Sequence, residues 1–165
     1  MAVPLYVLVV EDSADDQTLI KRAFGLAGDK AVLTTVRDGF EAIDYLQGVG
    51  EFADRERFPY PCFILTDLKM SPGDGFAVLE YVRNSQAVIP VSVFSGSRDL
   101  DDVKKSYMLG AAGYFVKPQM FQDFCQLIKG IHDLWVKCEQ PTLDMMGKQL
   151  KTTSRGKLGE RFQQV

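Results

Sequence analysis

The chain has 165 residues, of which 46% are hydrophobic and 25% charged, with a formal net charge of −3, as is ordinary for one soluble globular domain. Its 3 cysteines have neither C-x-x-C nor zinc-like spacing, which argues against a zinc module. The first ten residues lack a basic segment and are too short to span a membrane. We therefore read them as a strand and expect a cytoplasmic protein.

Short apolar runs alternate along the chain with segments of helical spacing. Several runs are continuously apolar, as in strands of a parallel sheet that is covered on both faces. The predicted strands are Leu5–Val10, Ala31–Val36, Cys62–Thr66, Val91–Phe94 and Gly113–Val116. Four predicted helices contain the apolar stripes of Leu19–Ala27, Ile43–Leu46, Phe76–Val82 and Leu100–Met108, the second of them opened by a capping pattern at Asp38–Glu41, and the last helix runs from about Met120 to Val136. This order predicts an α/β fold, a (βα)₅ doubly wound, five-stranded parallel sheet.

Two segments lie outside this alternation. Residues 48–60 form a charged connector that is longer than usual, and we expect it to run over the surface. Residues 137–165 hold 6 of the 19 basic and 3 of the 22 acidic residues, so a mildly basic end follows an acidic body. We assign residues 1–137 to one domain and 138–165 to a solvated tail. The tail is too short for a separate DNA-binding output domain, so we expect no direct DNA binding.

Reactive side chains follow four of the five predicted strands. Glu11 and Asp12 come after the first strand, Asp67 after the third, Ser95 after the fourth and Lys117 after the fifth. In an open α/β sheet the ligand crevice lies beyond the carboxyl ends of the strands, so these groups should share one crevice. Three carboxylates repel one another unless a cation binds, and an oxygen-rich site suits Mg²⁺.

Phosphoryl transfer is the chemistry that these groups favour. A carboxylate oxygen of Asp67 can attack a phosphoryl donor, while Lys117 neutralises the phosphoryl oxygens. Ser95 can donate a hydrogen bond to a phosphoryl oxygen, which makes it a sensor more than a catalyst. Each residue alone also has a plain structural explanation; Asp12 or Ser13, for example, could simply cap the first helix. The convergence of all four strand ends favours the functional interpretation.

On this βα pattern, residues 5–136 resemble the receiver domain of bacterial two-component response regulators, which has a flavodoxin-like fold. The resemblance implies that Asp67 is the phosphoacceptor and that Asp12 binds Mg²⁺ directly. It implies that Glu11 supports the metal through water and that the backbone carbonyl of Lys69 completes the metal shell. The family is not expected to act as an enzyme beyond self-phosphorylation and self-dephosphorylation.

The same resemblance indicates which residues form the conformational switch of the family. Ser95 matches the family's hydroxyl position, Lys117 its lysine, and Tyr114 the switch aromatic, which in the family turns inward when the hydroxyl moves toward the phosphoryl group. The family's proline usually stands four residues after the phosphoacceptor, but here that position is Ser71 and Pro72 follows it. Lys69 could lean toward the pocket and alter the lifetime of the phosphoryl group.

A narrower likeness concerns the partner. Asp44–Gln47, Gly50–Asp54 and Phe121–Trp135 are similar to single-domain regulators that partner bacterial phytochromes. This likeness suggests a phytochrome-type histidine kinase as partner, with output by protein–protein contact.

The last predicted helix has a second apolar stripe that contains Leu127, Ile131 and Leu134. A helix that is apolar on more than one side needs a second partner, so we predict a homodimer through this stripe. The alternative is that the 138–165 tail folds back over the stripe.

Three other functions compete. A flavodoxin-like flavin carrier would need a neutral phosphate-binding loop after the first strand, where this chain has Glu11-Asp12. A phosphatase of the aspartate-nucleophile class would be expected to carry Asp-x-Asp there. A pseudo-receiver, an interaction module that signals without phosphate, would have no need to retain all four site groups.

Overall fold

Five parallel strands form one sheet in the computed structural model, which describes residues 4–85, 87–141, 143–145 and 147–148. The strand order is β2-β1-β3-β4-β5, and every pairing is parallel. The elements are β1 (Leu5–Val10), α1 (Ala14–Ala27), β2 (Ala31–Val36), α2 (Gly39–Gln47), a 3-10 helix (Gly50–Ala53), β3 (Phe63–Thr66), α3 (Gly75–Asn84), β4 (Val91–Ser95), α4 (Leu100–Met108), β5 (Gly113–Val116) and α5 (Phe121–Lys137). The predicted (βα)₅ doubly wound sheet is therefore confirmed. Within the described residues, no helix is long and apolar enough to cross a membrane.

The core lies in two layers, one on each face of the sheet. Leu8 and Val10 of β1 point into the layer beneath α2 and α3. Val7 and Val9 point into the opposite layer, beneath α1 and α5. Because both faces of β1 are covered, its run is apolar without alternation, as the sequence indicates.

Four of the five helices begin with a capping side chain at the carboxyl edge of the sheet. Ser13, Asp38, Asp74 and Asp99 accept hydrogen bonds from backbone N–H groups in the first turns of α1, α2, α3 and α4. The sequence left Asp12 or Ser13 as the possible cap of α1, and in the structure the cap is Ser13. The positively polarised N-terminal ends of these four helices therefore lie at the edge of the sheet that carries the predicted site.

The 48–60 connector is more than a surface excursion, contrary to our expectation. Phe52 is buried and packs against Tyr45 and Phe58, with ring centroids 5.0 and 5.1 Å away. The buried Arg55 donates hydrogen bonds to the carbonyls of Tyr45 (2.8 Å) and Leu46 (2.9 Å) at the end of α2. The connector therefore covers an aromatic cluster and donates to carbonyls at the end of α2, one of which, that of Tyr45, also accepts from the Gly48 N–H.

The apolar stripe predicted for α4 is mostly exposed. Leu100 is 81% exposed, and Tyr107 and Met108 are also exposed, whereas Ser106 is the buried residue of this helix. The reason is position: α4 lies beside β5, the edge strand, where little sheet remains to be covered.

The interface predicted on α5 is partly wrong. Ile131 is only 3% exposed and packs in the core layer beneath α1 and α5, because α5 contacts α1 as well as the sheet. Leu134 is 56% exposed and Leu127 is half-buried. Dimerisation through these two residues stays a prediction that light scattering over a concentration series tests. Most of the 138–165 tail, and with it the alternative covering of this stripe, lies outside the described residues.

Candidate functional site

The strand ends bring the predicted site residues to one edge of the sheet. Val10 of β1 pairs with Thr66 of β3, so Glu11 and Asp67 follow side by side. The Asp67 N–H donates a hydrogen bond of 2.9 Å to the Val10 carbonyl and extends this pairing by one residue. On the other side of the crevice, the Lys117 N–H donates to the Ser95 carbonyl at 2.9 Å.

Lys117 lies at the centre of an acidic cluster. Its Nζ is 2.5 Å from Glu11 Oε2, 2.7 Å from Asp16 Oδ2 and 3.0 Å from Asp67 Oδ2. The lysine side chain is only 12% exposed, so it is not a solvated loop charge. The lysine therefore links strands β1, β3 and β5 at the point where phosphoryl chemistry is predicted.

Asp16 is a site residue that the sequence does not reveal directly. From the sequence it is only an acid in the first turn of α1 that favours the positive helix end. In the structure its carboxylate contacts Lys117. Asp16 lies in the first turn of α1, which begins at the carboxyl edge of the sheet directly after the first strand end, and this closeness along the chain is the available signal.

The protonation of Glu11 and Lys117 follows from their burial and pairing. Glu11 is 2% exposed, and burial raises its pKa to about 7 although the hydrogen bond from Lys117 opposes the shift. Burial would by itself lower the pKa of Lys117. Hydrogen bonds to Asp16 and Glu11 outweigh burial and hold the pKa above its usual range, so the ammonium is charged at neutral pH.

Stability should therefore depend on pH through Glu11. The pKa of this carboxyl is about 7 in the folded protein and ordinarily 4.5 in an unfolded chain, so the folded state binds more protons between these values. Its stabilising contribution is fully present below pH 4.5 and is lost as the pH rises toward 7. We expect the free energy of unfolding of the wild type to fall by up to about 3 kcal/mol more than that of Glu11→Gln over this range.

Urea denaturation of both proteins in EDTA at several pH values measures this difference. Parallel pH profiles of the two proteins would contradict the raised pKa.

The donor atoms at the carboxyl edge fit a divalent cation. Carboxylate oxygens of Glu11, Asp12 and Asp67 all lie within 4.8 Å of one another. Three carboxylates, those of Glu11, Asp16 and Asp67, share the ammonium of Lys117. Hard oxygen ligands and excess negative charge are the features that such a cation requires. Burial differs within this set: Glu11 is enclosed and Asp12 is exposed at the rim.

The Lys69 ammonium does not turn toward the acidic cluster, contrary to one possibility raised by the sequence. Its Nζ lies 3.7 Å from Asp102 Oδ2 on α4, and the lysine side chain is 71% exposed. The role of the Lys69 backbone carbonyl as a metal ligand stays a prediction.

Ser95 and Tyr114 meet through a third residue, Ser97. The buried Ser95 hydroxyl oxygen accepts a hydrogen bond of 3.3 Å from the Ser97 N–H. The Tyr114 hydroxyl donates a hydrogen bond of 3.0 Å to the Ser97 carbonyl. Burial raises the pKa of the Tyr114 phenol further above its ordinary value of 10.0, so the phenol can act as this donor at neutral pH.

The loop after Asp67 passes close to the backbone of this predicted phosphoacceptor. The Gly75 N–H donates to the Leu68 carbonyl at 3.0 Å, and a Cβ at Gly75 would lie 2.1 Å from the Asp67 carbonyl oxygen. The shifted proline is accommodated here, and the Ser71–Pro72 peptide is cis. Glycine is therefore required where the loop passes Asp67.

Comparisons with known proteins show which families and structures this chain resembles. A family model described as the response regulator receiver domain matches residues 7–129. The response regulator Rcp1 of Synechocystis sp. is 33% identical over 136 residues, covering 81% of this chain and 90% of Rcp1. The crystal structure of the phosphorylated cyanobacterial phytochrome response regulator RcpA has a TM-score of 0.77 at 33% identity, covering 84% of this chain and 99% of RcpA. The structure of the Mn²⁺-bound form of Rcp1 has a TM-score of 0.74 at 33% identity, covering 84% of this chain and 100% of that one.

Proposed function

The chain belongs to the response regulator receiver family, and on this premise we propose that it accepts a phosphoryl group on Asp67. The family acts in two-component systems, in which receiver domains partner with histidine kinases. The observation that carries the proposal is the Lys117 ammonium 3.0 Å from Asp67 Oδ2, inside a cluster of further carboxylates. An aspartate that serves only as a turn cap has no need of a buried lysine from a distant strand.

The transfer step follows from these contacts. A carboxylate oxygen of Asp67 forms a bond to phosphorus while the bond from phosphorus to the donor's imidazole nitrogen breaks and the imidazole keeps the electron pair. The Leu68 N–H donates to Asp67 Oδ1 at 2.6 Å and orients the carboxylate. Lys117 then offers its charge to the incoming phosphoryl oxygens, as electrostatic stabilisation of the transition state requires.

Glu11, Asp12 and Asp67 are the residues that would hold the divalent cation. When bound, the cation supplies positive charge to the phosphoryl oxygens. The Mn²⁺-bound form of Rcp1 supports a divalent ion in a similar protein, and Mg²⁺ is our choice because it prefers few carboxylates together with phosphate oxygens. We propose no catalytic turnover beyond self-phosphorylation and self-dephosphorylation.

A phytochrome-type histidine kinase is the partner we propose. Support comes from the likeness to RcpA, a phytochrome response regulator, at 33% identity. The relative rates of phosphotransfer from a phytochrome-type kinase and from an unrelated histidine kinase test this choice. Output is proposed to pass through protein contacts, without direct DNA binding.

Phosphorylation itself is tested without any kinase. We expect purified protein incubated with Mg²⁺ and acetyl phosphate to gain the mass of one phosphoryl group, and EDTA to abolish the gain. A phosphorylation-independent interaction module would show no gain under either condition.

A further inference from the structure

Ser97, in the loop between β4 and α4, has a hydrogen-bond partner for each of its polar groups. Its N–H donates to Ser95 Oγ at 3.3 Å and its carbonyl accepts from the Tyr114 hydroxyl at 3.0 Å. Its own hydroxyl donates to Asp102 Oδ2 at 2.6 Å and accepts from the Asp99 N–H at 3.3 Å. Ser97 therefore joins the predicted phosphoryl sensor, the predicted switch aromatic and the first turn of α4.

The bond to Asp102 is the strongest of these contacts. A hydroxyl that donates to a carboxylate at 2.6 Å forms a charge-assisted hydrogen bond, about twice as strong as a neutral one. The same Asp102 Oδ2 lies 3.7 Å from Lys69 Nζ, but that lysine is largely exposed and the pair contributes little. Asp102 thus acts on the loop chiefly through Ser97.

The surroundings make this single bond important. The apolar side chains of α4 are largely exposed and Ser106 is its buried residue, so burial holds the helix weakly. Elements with few buried apolar contacts are the ones that move most easily. A polar contact at the start of α4 can consequently determine where the β4–α4 loop lies.

We propose that Asp102 and Ser97 are positioning residues for the switch: Asp102 fixes Ser97, and Ser97 fixes the Ser95 hydroxyl and Tyr114. The inference rests on the proposed phosphoacceptor function. It adds two residues that determine the free-energy difference between the unswitched and the switched arrangement. Because the Ser97 N–H is bonded to the Ser95 hydroxyl, we expect Ser97 to move when Ser95 approaches a phosphoryl group on Asp67, and the bond to Asp102 to oppose that movement. Weakening this bond shifts the population toward the switched arrangement.

The test compares Asp102→Ala with Asp101→Ala. Both carboxylates lie in the first turn of α4, so both variants lose the same favourable interaction with the helix end, whereas the contacts to Ser97 and Lys69 are made by Asp102. Each protein is titrated with beryllofluoride, a phosphoryl analogue, in the presence of Mg²⁺. Nuclear magnetic resonance follows the Ser97 amide and the Tyr114 ring.

For Asp102→Ala we expect an apparent Kd for beryllofluoride about 10-fold or more lower than that of the wild type, as loss of one charge-assisted hydrogen bond implies. Before beryllofluoride is added, its Ser97 and Tyr114 resonances should already lie partway toward the bound positions of the wild type. Asp101→Ala should match the wild type in both respects. A merely structural role for Asp102 would lower stability without moving these resonances.

Ser97→Ala gives an independent arm if Asp102→Ala folds poorly. We expect the same direction of change, and the double variant should add little to either single variant because both remove one bond. Equal Kd values and resonances for Asp102→Ala and Asp101→Ala would overturn the inference while leaving the phosphoacceptor role intact. A wild type that binds no beryllofluoride would overturn the phosphoacceptor role and this inference together.

Discussion

Replacing Lys117 with methionine is expected to slow phosphorylation by acetyl phosphate by about 100-fold or more, the usual cost of removing one preorganised charge from a transition state. Methionine has a similar length and no charge, so it fills the space between Glu11 and Asp67 without neutralising either. The rate is measured by intact mass at a series of times with saturating Mg²⁺. The ammonium lies 3.0 Å from Asp67 Oδ2, so the variant removes a positive charge from beside the attacking carboxylate.

Lys104→Met provides the matched control for this change. Lys104 is an exposed residue of α4, and its replacement should leave the rate unchanged. Folding of Lys117→Met is checked by circular dichroism, and we expect a moderate loss of stability, because Glu11 with a pKa of about 7 can escape unpaired charge by protonation. A rate within a few-fold of the control would show that Lys117 is only a structural partner of the carboxylates.

Replacing Gly75 with alanine is expected to lower the free energy of unfolding by about 3 kcal/mol, in the upper range for overpacking. The added Cβ would lie 2.1 Å from the Asp67 carbonyl oxygen and 3.0 Å from Leu68 Cα, both in the backbone. These backbone atoms directly after β3 cannot move aside as a flexible side chain can. The displacement would also misplace the Asp67 carboxylate, so phosphorylation should slow together with the loss of stability.

Gly25→Ala in α1 is the control, because a Cβ there meets nothing within 4 Å. Alanine in an open helix position should stabilise the protein by about 0.5–1 kcal/mol, so the two variants should differ in sign. Urea denaturation in EDTA measures both. If Gly75→Ala were as stable as the wild type, the close approach of α3 to the Asp67 carbonyl would be wrong.

The sequence was most informative where physical rules act locally. Strands β1, β2 and β5 begin and end at the predicted residues. β1 is covered on both faces and reads as a continuous apolar run, whereas β2 and β5 are half-exposed edge strands whose short apolar runs lie between two helices. The carboxyl-end rule then brought Glu11, Asp67 and Lys117 to one edge, where the structure joins them by hydrogen bonds. Such rules need only the order of elements along the chain.

The sequence was least informative about contacts that depend on the direction in which a side chain points. Asp16 and Ser97 contact the site because of how α1 and the β4–α4 loop are oriented, and neither orientation can be read from residue spacing alone. The same limit explains Ile131, which α1 buries, and Leu100, which α4 leaves exposed beside the edge strand. The role of Arg55 could not be predicted from the sequence for a related reason, since its partners are backbone carbonyls of α2.

Intact mass spectrometry of the wild type and Asp67→Asn, each incubated with Mg²⁺ and acetyl phosphate, tests the central claim most directly. The asparagine keeps the size of the side chain and removes the nucleophilic carboxylate, while Asp12 and Asp16 stay in place as alternative acceptors. We predict the mass of one phosphoryl group on the wild type and none on Asp67→Asn. A wild type that never gains this mass, or an Asp67→Asn variant that gains it equally, would contradict Asp67 as the phosphoacceptor.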